Sequence, residues 1–298
     1  MCGIVGLFLK DPELEPRIGA LLAGMLITMT DRGPDSAGIA VYRQGRPGHA
    51  KLTVQVDDPD AIYPDLAARL TGAIDADVVL RANDTHAVLF VPAGKSDAAR
   101  AALRELVPGL RIMSDGDLIE IYKEVGLPQD VVRRFSIAAM SGTHGIGHTR
   151  MATESAVTTT GAHPFSTGAD QCLVHNGSLS NHNALRRKLQ RDGVRIDSDN
   201  DTEVGAAYLT WKMQHGQSLG EALESALTDL DGFYTFVVGT KDGFGVLRDP
   251  IACKPAVMAE TNRYVAFGSE YRALVQLPGI EAARVWEPEP ATVYFWTR

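Results

Sequence analysis

Apolar positions run unbroken from Gly3 to Leu9, which predicts a strand buried on both faces. Residues 16–30 carry Ile18, Leu21, Leu22, Met25 and Leu26 at helical spacing. The stretch 31–38 is rich in turn formers and leads into a strand over 39–42. Alternation over 86–91 predicts another strand. Ser96 is placed to cap a helix running to about Leu106, with Pro108 and Gly109 ending it. Residues 120–125 and 130–135 read as short helical pieces.

A second strand-rich part begins near Thr143. Residues 145–150 and 171–175 read as strands that end at polar residues. An amphipathic basic helix is expected over 183–191, and two more helices over 201–213 and 219–227. Strands follow at 233–239, 243–247, 256–259, 264–267 and 293–296, and the Asp242-Gly243 pair marks a hairpin. The helices cluster instead of alternating with strands. That order argues for an α+β protein of antiparallel sheets with helical outer layers, and against a doubly wound parallel sheet. The section from about 45 to 140 separates the two strand-rich parts and reads as an inserted small α+β lobe.

With 298 residues, 45% of them hydrophobic, the chain can bury a substantial core. Its formal net charge of −8 disfavours a broad nucleic-acid surface. The apolar start is too short to span a bilayer and lacks the basic flank and cleavage site of a secretory signal. Three cysteines, Cys2, Cys172 and Cys253, cannot all pair within the chain. They suit a reducing compartment, and a cytoplasmic location without membrane attachment is expected. Cys172 and Cys253 read as packing residues.

Four polar clusters stand at strand ends or helix starts: Cys2, residues 147–150, residues 175–177 and residues 201–203. Each alone has a plain structural reading. A lone cysteine is usually a small buried hydrophobe, Asn-Gly after a strand is a turn, and an acid before an apolar helix is a cap or first-turn charge. Arg150 by itself reads as an ion-pair partner.

Together they form a more specific pattern. The chain resembles the class II glutamine amidotransferases, whose domain is of the N-terminal-nucleophile hydrolase type. The resemblance lies in MCGIVG at the start, DRGPDSAG at 31–38, GHTRMAT at 147–153, HPF at 163–165, HNGSLSN at 175–181 and NDTE at 200–203. These segments follow one another in the family's order over most of the chain, the 45–140 section excepted. The resemblance implies a four-layer αββα sandwich of antiparallel sheets. It also implies one amidotransferase domain over 2–298 that carries the inserted lobe.

It further implies that Cys2 is the nucleophile, exposed as the first residue once Met1 is removed. A free thiol titrates at about 8.5 and a free α-amine at about 7.7–8.0, so the amine of Cys2 is a base matched to neutral pH. An amide nitrogen cannot serve, which makes loss of Met1 obligatory. By the same resemblance, the Asn176 side chain and the Gly177 N–H stabilise the oxyanion. Arg150 and Thr153 hold the α-carboxylate of L-glutamine, Asp201 accepts from its ammonium, and Arg32 either buttresses the pocket or is purely structural. His148, His163 and His175 read as hydrogen-bonded scaffold residues. No metal or cofactor is implied.

One position departs from the glucosamine-phosphate synthase branch: Glu154 stands where that branch has His. The segments GHTRMATESAVTTTGAHPF, LDGFYTFVVGT, RDPIACKP and FGSEYRAL resemble the small amidotransferase subunits related to glutamate synthase, N-methylglutamate synthase in particular. No P-loop or dinucleotide fingerprint accompanies them. The expectation is therefore a glutaminase subunit supplying ammonia to a synthase on separate chains. The 45–140 lobe is then either a docking or regulatory unit or a family decoration. The competing expectation is a stand-alone amidohydrolase acting on another amide.

Overall fold

The computed structural model describes residues 2–152 and 156–298. In chain order, β1 (Gly3–Leu9), α1 (Ile18–Thr28) and β2 (Ser36–Tyr42) come first. Next are β3 (His49–Gln55), α2 (Pro59–Ile74), β4 (Val79–Asn83), β5 (His86–Pro92), α3 (Ser96–Leu106) and β6 (Arg111–Gly116). Then come β7 (Ile119–Val125), α4 (Pro128–Arg134), β8 (His144–Arg150), β9 (Phe165–Gly168) and β10 (Gln171–Leu179). The helices α5 (His182–Arg191), α6 (Asp201–Gln214) and α7 (Leu219–Asp229) follow. The chain closes with β11 (Gly232–Gly239), β12 (Gly243–Arg248), β13 (Val257–Glu260), β14 (Tyr264–Gly268), β15 (Arg284–Trp286) and β16 (Thr292–Thr297).

A seven-stranded sheet has the order β15-β13-β14-β1-β8-β2-β7, and a five-stranded sheet the order β16-β12-β11-β10-β9. The pairings that build both are antiparallel. The period-2 rule separates their faces. Val5, Leu7 and Leu9 of β1 pack with Leu22, Met25 and Leu26 of α1. Ile4 and Phe8 point the other way and meet Val237, Phe244 and Val246 of the second sheet. The far face of that sheet, with Leu173, Phe236 and Leu247, packs on Val204, Tyr208 and Leu223 of α6 and α7. The layers are thus helix, sheet, sheet, helix, as expected. Each large apolar side chain removed from water contributes roughly 1.5–3 kcal/mol.

Residues 119–125 correct one sequence expectation: they form β7, an edge strand paired with β2, not a helical piece. Ile119 and Ile121 enter the core between the sheets. Glu120, on the opposite face, is 1% exposed and meets Lys51 at 3.0 Å, Arg43 at 2.9 Å and Arg81 at 2.7 Å. Burial alone pushes the Glu120 carboxyl up; the three cations overcome it and hold it down at about 2. This cluster ties β7 to a third sheet, β4-β5-β3-β6, which packs on α2 and α3 through Leu52, Leu66, Leu89 and Leu103. Cys172 is buried, as expected, and burial pushes its thiol up to about 12. Cys253 is exposed, in the turn after β12, so it is not a packing residue. Among the described residues no helix is long and apolar enough to cross a membrane.

Candidate active site

Cys2 precedes β1, the strand next to β8 in the middle of the large sheet. Gly3 stands opposite Thr149, so Cys2 and Arg150 are the next residues out at the same end of the paired strands. The start of β1 is fixed on its other side by Ser269: Ile4 N–H donates to Ser269 Oγ at 2.9 Å, and Ser269 N–H donates back to the Ile4 carbonyl.

Two side chains converge on the Cys2 carbonyl. Arg32 Nε donates to it at 2.9 Å and Asn176 Nδ2 at 3.3 Å. Arg32 is 8% exposed and is held in turn by Glu270 at 2.7 Å. The 31–35 segment that carries Arg32 lies directly on β8; β2 starts at Ser36, earlier than the expected 39. A Cβ at Gly33 would stand 2.4 Å from the Thr149 carbonyl carbon, so only glycine permits the approach. In the same loop Asp35 accepts from the Ala152 N–H at 2.8 Å and donates its own N–H to the Arg150 carbonyl. Arg150 Nη1 donates to the Ala156 carbonyl at 3.3 Å. Thr153 and Glu154 lie outside the described residues, as does Met1.

Asn176 and Gly177 belong to β10, opposite Thr235 and Tyr234 of β11. Gly177 has φ of +150°, and a Cβ there would meet the Phe233 carbonyl oxygen at 1.9 Å. Asp201 opens α6 behind the N-cap Asn200. Its Oδ2 accepts from Leu179 N–H at 2.9 Å, two residues beyond Gly177, and its Oδ1 lies 3.7 Å from His175 Nδ1. Burial pushes the Asp201 carboxyl up; the ring of His175 and the Leu179 amide overcome it and bring it to about 2. At 3.7 Å the ring acts through charge and polarity, so the 2.9 Å amide bond is the firm part. The carboxylate is ionised at neutral pH and suited to a cation.

The three scaffold histidines all prove buried and hydrogen-bonded. His148 Nε2 donates to the His175 carbonyl at 3.1 Å, while His163 Nε2 and His175 Nδ1 reach Thr202 Oγ1 at 2.7 and 3.0 Å. His148 and His163 stack with centroids 4.0 Å apart. Burial lowers His148 to about 3, and burial with neighbouring positive charges takes His163 well below its ordinary range. His86 and His144, elsewhere in the core, are also lowered to about 3 by burial. These four groups make the fold acid-sensitive. In the unfolded chain they titrate near 6.5, so the unfolded state takes up protons first as pH falls. Stability is therefore complete above about pH 6.5 and declines towards pH 3. Urea unfolding against pH measures this, and a free energy flat between about pH 7 and 5 is the contrary result.

Sequence reasoning missed Ser269, Glu270 and Thr202 as contributors. The first two lie within FGSEYRAL, quoted above only as a likeness, and nothing local links them to Cys2. Among the described residues no group of His, Cys, Asp and Glu has the makings of a metal site.

Two antiparallel sheets sheathed by helices, with Cys2 at the end of a central strand, make the layered fold expected of the N-terminal-nucleophile hydrolases. Comparison with known proteins narrows it. Residues 148–276 match the family model described as a glutamine amidotransferase domain. The glutamine amidotransferase-like protein GlxB of Rhizobium meliloti is 66% identical over 297 residues, covering 99% of this chain and 98% of that protein. Glutamine–fructose-6-phosphate aminotransferase of Mycobacterium bovis is 32% identical over 169 residues, covering 54% of this chain and 27% of that protein. Among solved structures, the glutamine PRPP amidotransferase of B. subtilis matches with TM-score 0.61 and 18% identity, over 99% of this chain and 47% of that one. The chain belongs to the class II glutamine amidotransferases.

Proposed function

We propose that the protein is the glutaminase subunit of a two-component amidotransferase. The Cys2 thiolate attacks the side-chain amide carbonyl of L-glutamine, with the Cys2 α-amine taking the thiol proton directly or through one water. The C–N bond breaks, ammonia leaves carrying that proton, and a γ-glutamyl thioester remains on Cys2. Water then cleaves the thioester to glutamate. Asn176 Nδ2 and Gly177 N–H are the oxyanion donors, Arg150 and Thr153 take the α-carboxylate, and Asp201 takes the α-ammonium. Arg32 holds the nucleophile's carbonyl. The observation that carries this reading is the meeting of Asn176 and Arg32 at the Cys2 carbonyl, with Asp201 tied to the same strand as Asn176.

The finer assignment is a cytoplasmic subunit that passes ammonia to a synthase on separate chains, N-methylglutamate synthase or a glutamate-synthase-like complex. Three free cysteines accord with a reducing compartment. A diazo-ketone analogue of glutamine tests the site. The expected result is a single adduct at Cys2, found by peptide mass analysis and suppressed by excess glutamine. Labelling at Cys172 or Cys253 overturns the site assignment.

A further inference from the structure

We infer that the Thr202 hydroxyl is a positioning group for glutamine, joining the three segments behind the site so that Asp201 and Asn176 keep one geometry. The role rests on the glutaminase reading, in which Asp201 holds the substrate's ammonium.

Thr202 is 1% exposed and follows Asp201 in the first turn of α6. Its hydroxyl lies 2.7 Å from His163 Nε2, 3.0 Å from His175 Nδ1 and, at a long 3.5 Å, from Asp201 Oδ1. A hydroxyl has one proton and two lone pairs, and a carboxylate only accepts. The arrangement that satisfies all three contacts has the hydroxyl donating to Asp201 and accepting an N–H from each ring. It fixes both tautomers: His163 carries its proton on Nε2 and His175 on Nδ1.

Each ring leads to a different part of the site. His175 directly precedes Asn176 in β10, and its carbonyl is held by His148. His163 stands between Ala162 and Pro164, whose carbonyls accept from the buried Lys123 Nζ at 2.7 and 3.1 Å. The hydroxyl thus joins the helix bearing Asp201, the strand bearing Asn176 and the end of the segment that follows Arg150. Replacing it by a methyl group of the same shape strands two buried N–H donors, and the rings must turn or shift to find partners.

Glutamine binding to the Cys2→Ala protein, followed by calorimetry, isolates this role from chemistry. Thr202→Val in that background is expected to weaken binding about tenfold, and Thr202→Ser to restore it to within about twofold, because Ser keeps the hydroxyl. In the Cys2 enzyme the same pair is expected to raise and then restore KM, with kcat changed less than KM. Imidazole nitrogen NMR is expected to show Nε2–H for His163 and Nδ1–H for His175, a pattern lost in Thr202→Val. Unchanged affinity in Thr202→Val overturns the inference. So does Thr202→Ser as weak as Thr202→Val, which would make the effect one of packing. If Thr202→Val does not fold, Thr202→Ala carries the same readout with the same overturning results. Absence of glutamine binding to Cys2→Ala itself sinks the glutaminase reading and the inference with it, an arm distinct from the others.

Discussion

Glutamine hydrolysis is expected to fall to background in Cys2→Ala, on the order of 10⁶-fold, as when a hydrolase loses its nucleophile. The thiol has no substitute: Cys172 is fully buried between the sheets, and Cys253 lies in an exposed turn. A second form of the experiment keeps the thiol and removes only the base. Protein purified with Met1 still attached is expected to be equally silent, because its Cys2 nitrogen is an amide whose lone pair is delocalised into the carbonyl and does not accept a proton. Mass analysis of the N-terminus alongside a glutamate-release assay measures both. Full activity in protein that retains Met1 refutes the α-amine mechanism, and activity in Cys2→Ala refutes the nucleophile.

Gly177→Ala is expected to lower turnover by about 10²- to 10³-fold, the usual effect of losing one oxyanion donor. It is also expected to lower stability by about 3 kcal/mol or more. Two independent constraints act there. The backbone stands at φ of +150°, a region L side chains rarely adopt, and a Cβ would lie 1.9 Å from the Phe233 carbonyl oxygen and 2.7 Å from Tyr234 Cα. The obstacle is backbone of the neighbouring strand and has no rotamer to escape into. Relief requires β10 and β11 to part at the residue whose N–H is assigned to the oxyanion. Steady-state kinetics with urea unfolding separates the two effects. Wild-type turnover and stability in Gly177→Ala would show that the close approach to Phe233 does not govern where this N–H points.

Much of the fold was legible because its elements bury one face each. The spacing of Leu22, Met25 and Leu26 predicted α1, and the Asp242-Gly243 pair predicted the β11–β12 hairpin. The strand at residues 119–125 was not legible. Its alternation places Ile119 and Ile121 inward, but Lys123 follows them on the same face and Glu120 takes the other, so charges on both faces break the strand pattern. A buried carboxylate is tolerable there only because Lys51, Arg43 and Arg81 arrive from β3, the segment after β2, and β4 respectively. No local pattern announces such partners.

The site divides in the same way. The types of its residues, and the order Cys2, Arg32, Arg150, Asn176, Asp201, are properties of the chain and pointed to amide chemistry on a free amino acid. Their meeting is not a chain property. Asn176 reaches Cys2 across 174 positions, and Glu270 reaches Arg32 across 238. Thr202 joins His163 and His175 only once β10, α6 and the segment before β9 have packed together. Hydrophobic periodicity is local, because each element has to hide its own apolar face. Hydrogen-bond partnership depends on direction and acts within about 3 Å, so the packed layers alone decided which polar groups face one another.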